Sequence, residues 1–339
     1  MWISRVSGMG SYANRTTPVN TNLYNLASVK SIHETNSNTG VGINFNAGAA
    51  NSAWMTGVQV IGTDMYISNR GNGNSFDSTD VFITKIAISS TGNGAVVDQN
   101  AAGLGLNSCD GFGLNDDATK IIFADFHGNQ VRSGTVNSSL AITLNGSALN
   151  AGGGVRFARW NNDGSKYYFG YGTSGGNSII KQYTAGTNYI VTSSDSAGTS
   201  QTLSIGAASD LVFNSDGSKM YIPDALTAEV FEYDLSTPYD ISTETLVTTL
   251  DIRSFFTNSS SSTNSPWRPA SSSSSTPWIS GISWNDDGSK FYVISLWGTT
   301  IGPPSLQSKV SGTLNPTPTV TGEGGARTNT MPIIEFRVQ

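Results

Sequence analysis

One ten-residue phrase occurs four times in this chain, and that repetition narrows the fold more than any other feature. It reads LNDDATKIIF at Leu114–Phe123, WNNDGSKYYF at Trp160–Phe169, FNSDGSKMYI at Phe213–Ile222 and WNDDGSKFYV at Trp284–Val293. Each copy sets a lysine (Lys120, Lys166, Lys219, Lys290) six residues after a large apolar residue, with an apolar run behind it. The gap holds Asp117 in the first copy and Asp163-Gly164, Asp216-Gly217 and Asp287-Gly288 in the others. Glycine accepts positive φ, and Asn and Asp side chains bond their own backbone, so each phrase predicts a strand, a tight turn and a second strand. These turn residues and lysines are expected to be structural. A chain written as copies is an array of small units rather than one compact catalytic domain.

The third copy gives the outline of a unit. Residues 208–213 read as a strand with Leu211 and Phe213 on one face, and 219–222 as a second strand that Pro223-Asp224 ends. Residues 229–235 alternate, with Val230 apart from the Glu232/Asp234 face and Phe231, Tyr233 and Leu235 together; after a turn at Ser236–Asp240, residues 245–250 supply a fourth strand. Tyr168, Tyr221 and Tyr292 share one position, which Ile122 takes in the earliest clear copy, at spacings of 46, 53 and 71. A weaker copy runs from Val58 through Tyr66 to residues 80–88. Repeats of roughly 40–50 residues with four strands each predict an all-β fold, a β-propeller of five or six four-stranded antiparallel blades. A β-helix would need shorter, more even periods.

A ring must close. Strand-like pieces at 1–7, 23–32 and 41–45, and a clean strand candidate at Met331–Gln339, are expected to pair or pack so that no sheet edge stays open. Residues 1–339 are then a single propeller domain. Two stretches depart from the repeat: a Ser/Pro-rich excursion at 254–280 and an irregular loop at 316–330. The excursion carries Trp267, Arg268 and Trp278. Large indoles are costly to leave in water, so these residues are candidates for a partner contact, with packing on the propeller side as the alternative.

Composition sets limits on function. Charged residues make up 12% of the chain, against about 25% in ordinary soluble domains, and net charge is −6 with no basic block. Nucleic acid is therefore not an expected partner. No signal peptide or membrane span is expected, and the one cysteine, Cys109, reads as a buried residue at the start of an inner strand. Loops at 69–74 and 170–177 follow second strands and should gather at one end of the ring. Asn72, Tyr171, Asn177 and Trp297 are candidates there for glycan contact, with solvated turns as the plain alternative.

Catalytic patterns are lacking. His33 and His127 have no partner at zinc-ligand spacing, and there is no nucleophile elbow or phosphate loop. The Asp-rich turns offer too few oxygen ligands for calcium, and a lysine follows each. Pairs such as Asp224/Glu229 or Asp116/Asp117 resemble a glycosidase's two carboxylates only by composition. The expectation is a protein that is not an enzyme, with no cofactor and no metal.

The stretch NSDGSKMYIP…AEVFEYDLSTPYDIST, Asn214–Thr243, resembles the blade repeat of β-propeller domains in tailed-bacteriophage virion and tail proteins of the marine type. Asp216-Gly217 and Lys219 match its first turn, Met220-Tyr221 its second strand, Tyr233–Ser236 the end of its third, and Thr237-Pro238-Tyr239-Asp240 its link. The units at 160–183 and 284–295 keep the turn and second strand but lack the link, and the resemblance covers about half of the chain. It implies a structural component of the virion, of the tail, fibre or other external appendage, contributing to assembly or host adsorption. The partners implied are other virion proteins or copies of itself, and a host surface glycan or receptor; the place implied is the virion exterior, after assembly in the host cytoplasm. A free-standing carbohydrate- or protein-binding propeller is the alternative.

Overall fold

The computed structural model of the protein describes residues 23–34, 55–69, 81–88, 94–101, 108–172, 176–252, 279–295 and 333–338. Among these residues twenty strands build five antiparallel four-stranded sheets, the blades of a five-bladed β-propeller. Strand β1 (Val29–Glu34) comes first. The first blade holds β2 (Met55–Ile61), β3 (Asp64–Asn69), β4 (Val81–Ile88) and β5 (Gly94–Ala101). The second holds β6 (Gly111–Leu114), β7 (Lys120–Asp125), β8 (Gln130–Val136) and β9 (Ile142–Asn150). The third holds β10 (Phe157–Trp160), β11 (Lys166–Gly172), β12 (Ser178–Thr184) and β13 (Ser196–Leu203), and the fourth β14 (Val212–Phe213), β15 (Lys219–Asp224), β16 (Glu229–Leu235) and β17 (Glu244–Asp251). The fifth joins β18 (Ile279–Trp284), β19 (Lys290–Ser295) and β20 (Ile333–Val338) to β1.

The repeated phrase folds as its residues dictate. In the third blade Asn161 accepts at Oδ1 from the Lys166 amide and donates from Nδ2 to Ser165, while Asp163 accepts the Ser165 amide and Gly164 takes φ of 69°. Asn214, Asp216 and Gly217, and Asn285, Asp287 and Gly288, repeat these roles. In the second blade Ala118 stands in the glycine place at φ 56°, with Asp117 accepting from the Thr119 amide. The first blade closes the same hairpin with a shorter Gly62-Thr63 turn.

Apolar clusters weld neighbouring blades. Tyr66 and Ile83 of the first pack with Phe112, Ile121 and Phe123 of the second. Tyr168 and Ile180 of the third meet Met220 and Ile222 of the fourth, and Tyr221 and Val230 of the fourth meet Ile282, Trp284 and Phe291 of the fifth. A polar stitch accompanies the packing. The third-strand residue opposite the shared tyrosine position accepts an amide from the next blade: Ser133 from Val191, Gln182 from Ile241 and Glu232 from Leu26.

Closure joins the two ends of the described chain in one blade. β1 and β20 pair antiparallel, with Ile32 opposite Phe336, and β20 pairs β19 on its other side. The piece read as a strand at 23–32 starts later than expected. Tyr24 has φ of 54° and Leu26–Ser28 forms a 3-10 turn before β1 begins. The pieces at 1–7 and 41–45 lie outside the described residues, as do residues 316–330.

The number of blades among the described residues, five, is the lower of the two expected values. Other readings are corrected. β15 runs through Pro223 to Asp224, because Pro223 faces an inner strand reduced to Val212–Phe213, where its carbonyl takes the Ser209 amide and no ladder donor is missed. Residues 208–211 contribute only the isolated bridge Ala208–Asp224. Glu232 shares a face with Asp234, and Lys219 reaches both, but Val230, expected apart from them, lies on that face as well, and Glu232 is only 1% exposed because it holds the Leu26 amide where the next blade packs. The excursion read as 254–280 ends earlier, since Ile279 and Ser280 open β18.

Candidate functional site

The five inner strands come level at the residues that pair with the shared tyrosine position: Gln59, Gly113, Arg159, Val212 and Ser283. Each blade supplies a different residue, and the differences build the centre. Arg159 reaches across to Asp210 of the fourth blade, Nε to Oδ1 at 2.9 Å and Nη2 to Oδ2 at 2.6 Å, with 5% and 1% of the two residues exposed. It also donates to the Val58 carbonyl and to Gln59 Oε1 of the first blade. Gln59 exchanges two hydrogen bonds with the Leu114 backbone of the second blade, and Asp210 accepts the Ile282 amide of the fifth. A Cβ on Gly113 would sit 3.1 Å from Arg159 Cα and 3.2 Å from its Cδ, so glycine makes room for the guanidinium's approach. One ion pair therefore ties all five blades.

Beside this network a cavity of about 430 Å³ opens at the end of the ring where the repeated turns lie. Arg159 and Gln59 line its base, Leu114, Trp160, Phe213 and Trp284 its wall, and Asn115-Asp116, Asn161-Asn162, Asn214-Ser215 and Asn285-Asp286 its rim. The large residue opening each phrase thus borders a common funnel while packing between blades. Asp286 accepts the Gly62 amide at 2.9 Å, and Asn162 donates to the Ser215 carbonyl, so the rim is laced from blade to blade. Partial burial and the neighbouring carboxylates of Asp286 and Asp117 hold Asp116 above the ordinary aspartate range. The indole nitrogens of Trp160 and Trp284 are buried without a hydrogen-bond partner among the described residues.

Three tyrosines brace the rim. Tyr189, Tyr239 and Tyr24, all at positive φ, lie on Gly164, Gly217 and Gly288, and their amides donate to those glycine carbonyls at 3.0 Å. Their hydroxyls donate to the carbonyls of Asn162, Ser215 and Asp286 in turn. Tyr239 is the aromatic residue of the link; Tyr189 and Tyr24 do the same work where no Thr-Pro announces it.

The residues singled out in the sequence fall in two places. The turn residues Asp117, Asp163, Asp216 and Asp287 are structural caps, and the lysines behind them continue the second strands; Lys219 pairs with Glu232 and Asp234 at 2.7 Å. Tyr171 and Asn177 flank the opposite end of the ring, where β11 and β12 meet, with the Tyr171 ring against Gly153 and Lys181. Asn72, Trp267, Arg268, Trp278 and Trp297 lie outside the described residues. Asp224 is taken up by the amides of Gly206, Ala207 and Leu226, which leaves it holding a loop. Cys109 is fully buried two residues before β6. Among the described residues no cluster of three metal-ligating side chains occurs, and no helix is long and apolar enough to cross a membrane. Arg159, Asp210, Trp160, Trp284 and Asp116 form the site that the sequence alone did not reveal as a unit.

No protein-family profile and no curated protein sequence matches the chain. Similar solved structures include the Kuenenia stuttgartiensis hydrazine synthase, at 12% identity over 72% of this chain and 56% of that one with a TM-score of 0.40. A nidogen/laminin complex matches at 11% identity over 72% and 73%, TM-score 0.42, and a protein of Desulfotomaculum acetoxidans at 13% over 81% and 73%, TM-score 0.40. At these values the likenesses carry no argument about function.

Proposed function

We propose that the protein is a non-enzymatic structural component of a bacteriophage virion, borne on the exterior as a tail, fibre or other appendage protein and acting in assembly or host adsorption. The observation that carries this reading is the stitched ring. Side chains from each of three successive blades hold the link of the next, and one ion pair touches all five, which suits a rigid platform that presents its two rims to partners. The blade phrase around Asn214–Thr243 supplies the phage context. A free-standing carbohydrate- or protein-binding propeller is the second reading, favoured by a funnel contained within a single chain.

Immunogold labelling separates the two. Antibody raised against the purified protein is applied to phage particles from cultures that produce it. Gold at a fixed place on the particle supports the virion reading. Unlabelled particles, with the protein recovered apart from them, overturn it in favour of the second.

A further inference from the structure

We infer that the outer edge of the fourth blade, strand β17, is a docking site for an extended, positively charged segment of another protein, which adds to the sheet as a fifth strand. The edge offers the same chemistry on a virion or off it, so this site stands apart from the proposed function.

Charge is not shared evenly around the ring. Residues 212–251, which hold the fourth blade, carry eight carboxylates and one cation, Lys219, a net charge of −7 where the whole chain has −6. With Arg253, the next basic residue along the chain, counted in, the blade still holds −6 and the rest of the chain sums to zero. Lys219 is already divided between Glu232 and Asp234. A blade so charged draws cationic partners and turns acidic ones away.

The same blade carries exposed apolar surface. Among the described residues three large aliphatic side chains are about half exposed, Leu226, Leu246 and Val247, and all three belong to it. Leu246 and Val247 lie on β17, the last strand of its sheet, where a bulge leaves Val247 without an opposite residue. Natural edge strands are usually blunted by charge or proline, and glycine weakens them. The outer strands of the other blades are interrupted in sequence by Asp98, Gly146, Gly198 and, in the closing blade, Lys30. β17 runs from Thr245 to Leu250 with no charge, proline or glycine, in residues that favour strands. Its backbone groups that do not bond β16 give an incoming strand its ladder.

End charges choose the occupant. Glu244 and Asp251 close β17 on either side, and Asp234 stands opposite Thr245. A second copy of the chain is the poorer fit. Two β17 strands paired antiparallel about their midpoint set Glu244 against Asp251 at both ends, and paired in parallel they set each acid against itself. A neutral, strand-forming segment with Lys or Arg at its ends meets the edge and the acids together.

The test is fluorescence anisotropy on the full chain with synthetic peptides. The probe is Lys-Thr-Val-Thr-Val-Thr-Lys; one counterpart carries Glu at both ends and another Pro at the central residue, which interrupts a ladder. The basic peptide is expected to bind saturably, less tightly as salt rises, and about tenfold more tightly than either counterpart. Hydrogen exchange should slow at alternate amides of β17 when it binds. Val247→Lys, an exposed change that sets a guarding charge on the edge, should weaken binding about tenfold. Leu226→Lys makes the same change in charge on the same blade but off the edge, and should leave affinity within about twofold. Circular dichroism melting verifies that both variants fold. No binding, equal binding of either counterpart, or equal losses in the two lysine variants overturns the inference. A dimer of the chain that Val247→Lys splits would overturn it as well, and give the edge to a second copy.

Discussion

Arg159 and Asp210 meet through two parallel hydrogen bonds, 2.9 and 2.6 Å long, at a point where all five blades come within reach of the pair. Removing one partner strands the other in a dry site. Arg159→Met is expected to cost about 3–5 kcal/mol, because Asp210 keeps its burial and loses its counter-ion. Urea unfolding of the variant measures this; a loss below about 1 kcal/mol would mean the centre is wetter than its burial implies.

Gly288 and Gly62 share positive φ but not surroundings, which makes them a matched test of the tyrosine brace. A Cβ on Gly288 would fall 2.3 Å from the Tyr24 ring, whereas nothing lies within 4 Å of one on Gly62. Gly62→Ala should cost only the backbone term, about 1–2 kcal/mol. Gly288→Ala adds the displaced ring and should lose about 2–5 kcal/mol. Equal losses in thermal melts would show that the ring contributes nothing.

Glu232 does in the fourth blade what Gln182 does in the third, with an ion pair to Lys219 added. Glu232→Gln keeps an acceptor for the Leu26 amide, and Lys219, a quarter exposed, keeps Asp234 as its counter-ion, so the cost should stay within about 1 kcal/mol. Glu232→Ala leaves the amide bare, and hydrogen exchange at Leu26 should quicken well before the ring unfolds. Unchanged exchange in the alanine variant would remove the stitch from the account.

Acid should loosen the turns. Hydroxyl and amide donors from Thr119, Ser165 and Ser218 hold Asp117, Asp163 and Asp216 below the ordinary value of 3.8, and Ser289 does so for Asp287 in spite of its partial burial. A carboxylate depressed in the folded state stabilises above its unfolded pKa, and that stability is lost as pH falls through the folded one. Asp240 is held low in the same way by Ser242, while Asp116, raised by partial burial and then by Asp286 and Asp117, and Asp210, raised by its burial, work the other way, two against five. Melting temperature is expected to hold steady near neutrality and drop below about pH 4. A melt insensitive to that step would contradict the turn geometry.

Cys109 is sealed under the first and second blades, and burial pushes its thiol far above the ordinary range. A thiol reagent should leave the folded protein untouched and titrate one group on unfolding. Fast reaction without denaturant would show that this part of the core opens.

The turns were legible in the sequence because each is settled within ten residues, where Asn, Asp, Gly and Ser satisfy one another locally. The ring followed from repetition. Arg159 and Asp210 were not legible, because their partnership crosses blades at a level where every copy carries a different residue. Tyr189 and Tyr24 escaped notice as kin of Tyr239 because the words around them, Thr-Asn-Tyr-Ile-Val and Leu-Tyr-Asn-Leu, lack the Pro and Asp of the link and share with each other only the aromatic and an apolar residue two places behind it. The burial of Glu232 was not legible because the blade that covers it, through Leu26, is brought there by the closure of the ring and leaves no mark in the alternation of its own strand.

The pairing of β1 with β20 also sets a timetable. A ribosome makes β1 roughly 300 residues before its sheet partner β20, a wait of the order of tens of seconds at about 5–20 residues per second. Throughout that interval β1 has no place in any finished blade while four blades assemble downstream of it. A chain stalled during translation before residue 333 would hold an incomplete fifth blade, ready to accept a strand from whatever chain emerges beside it.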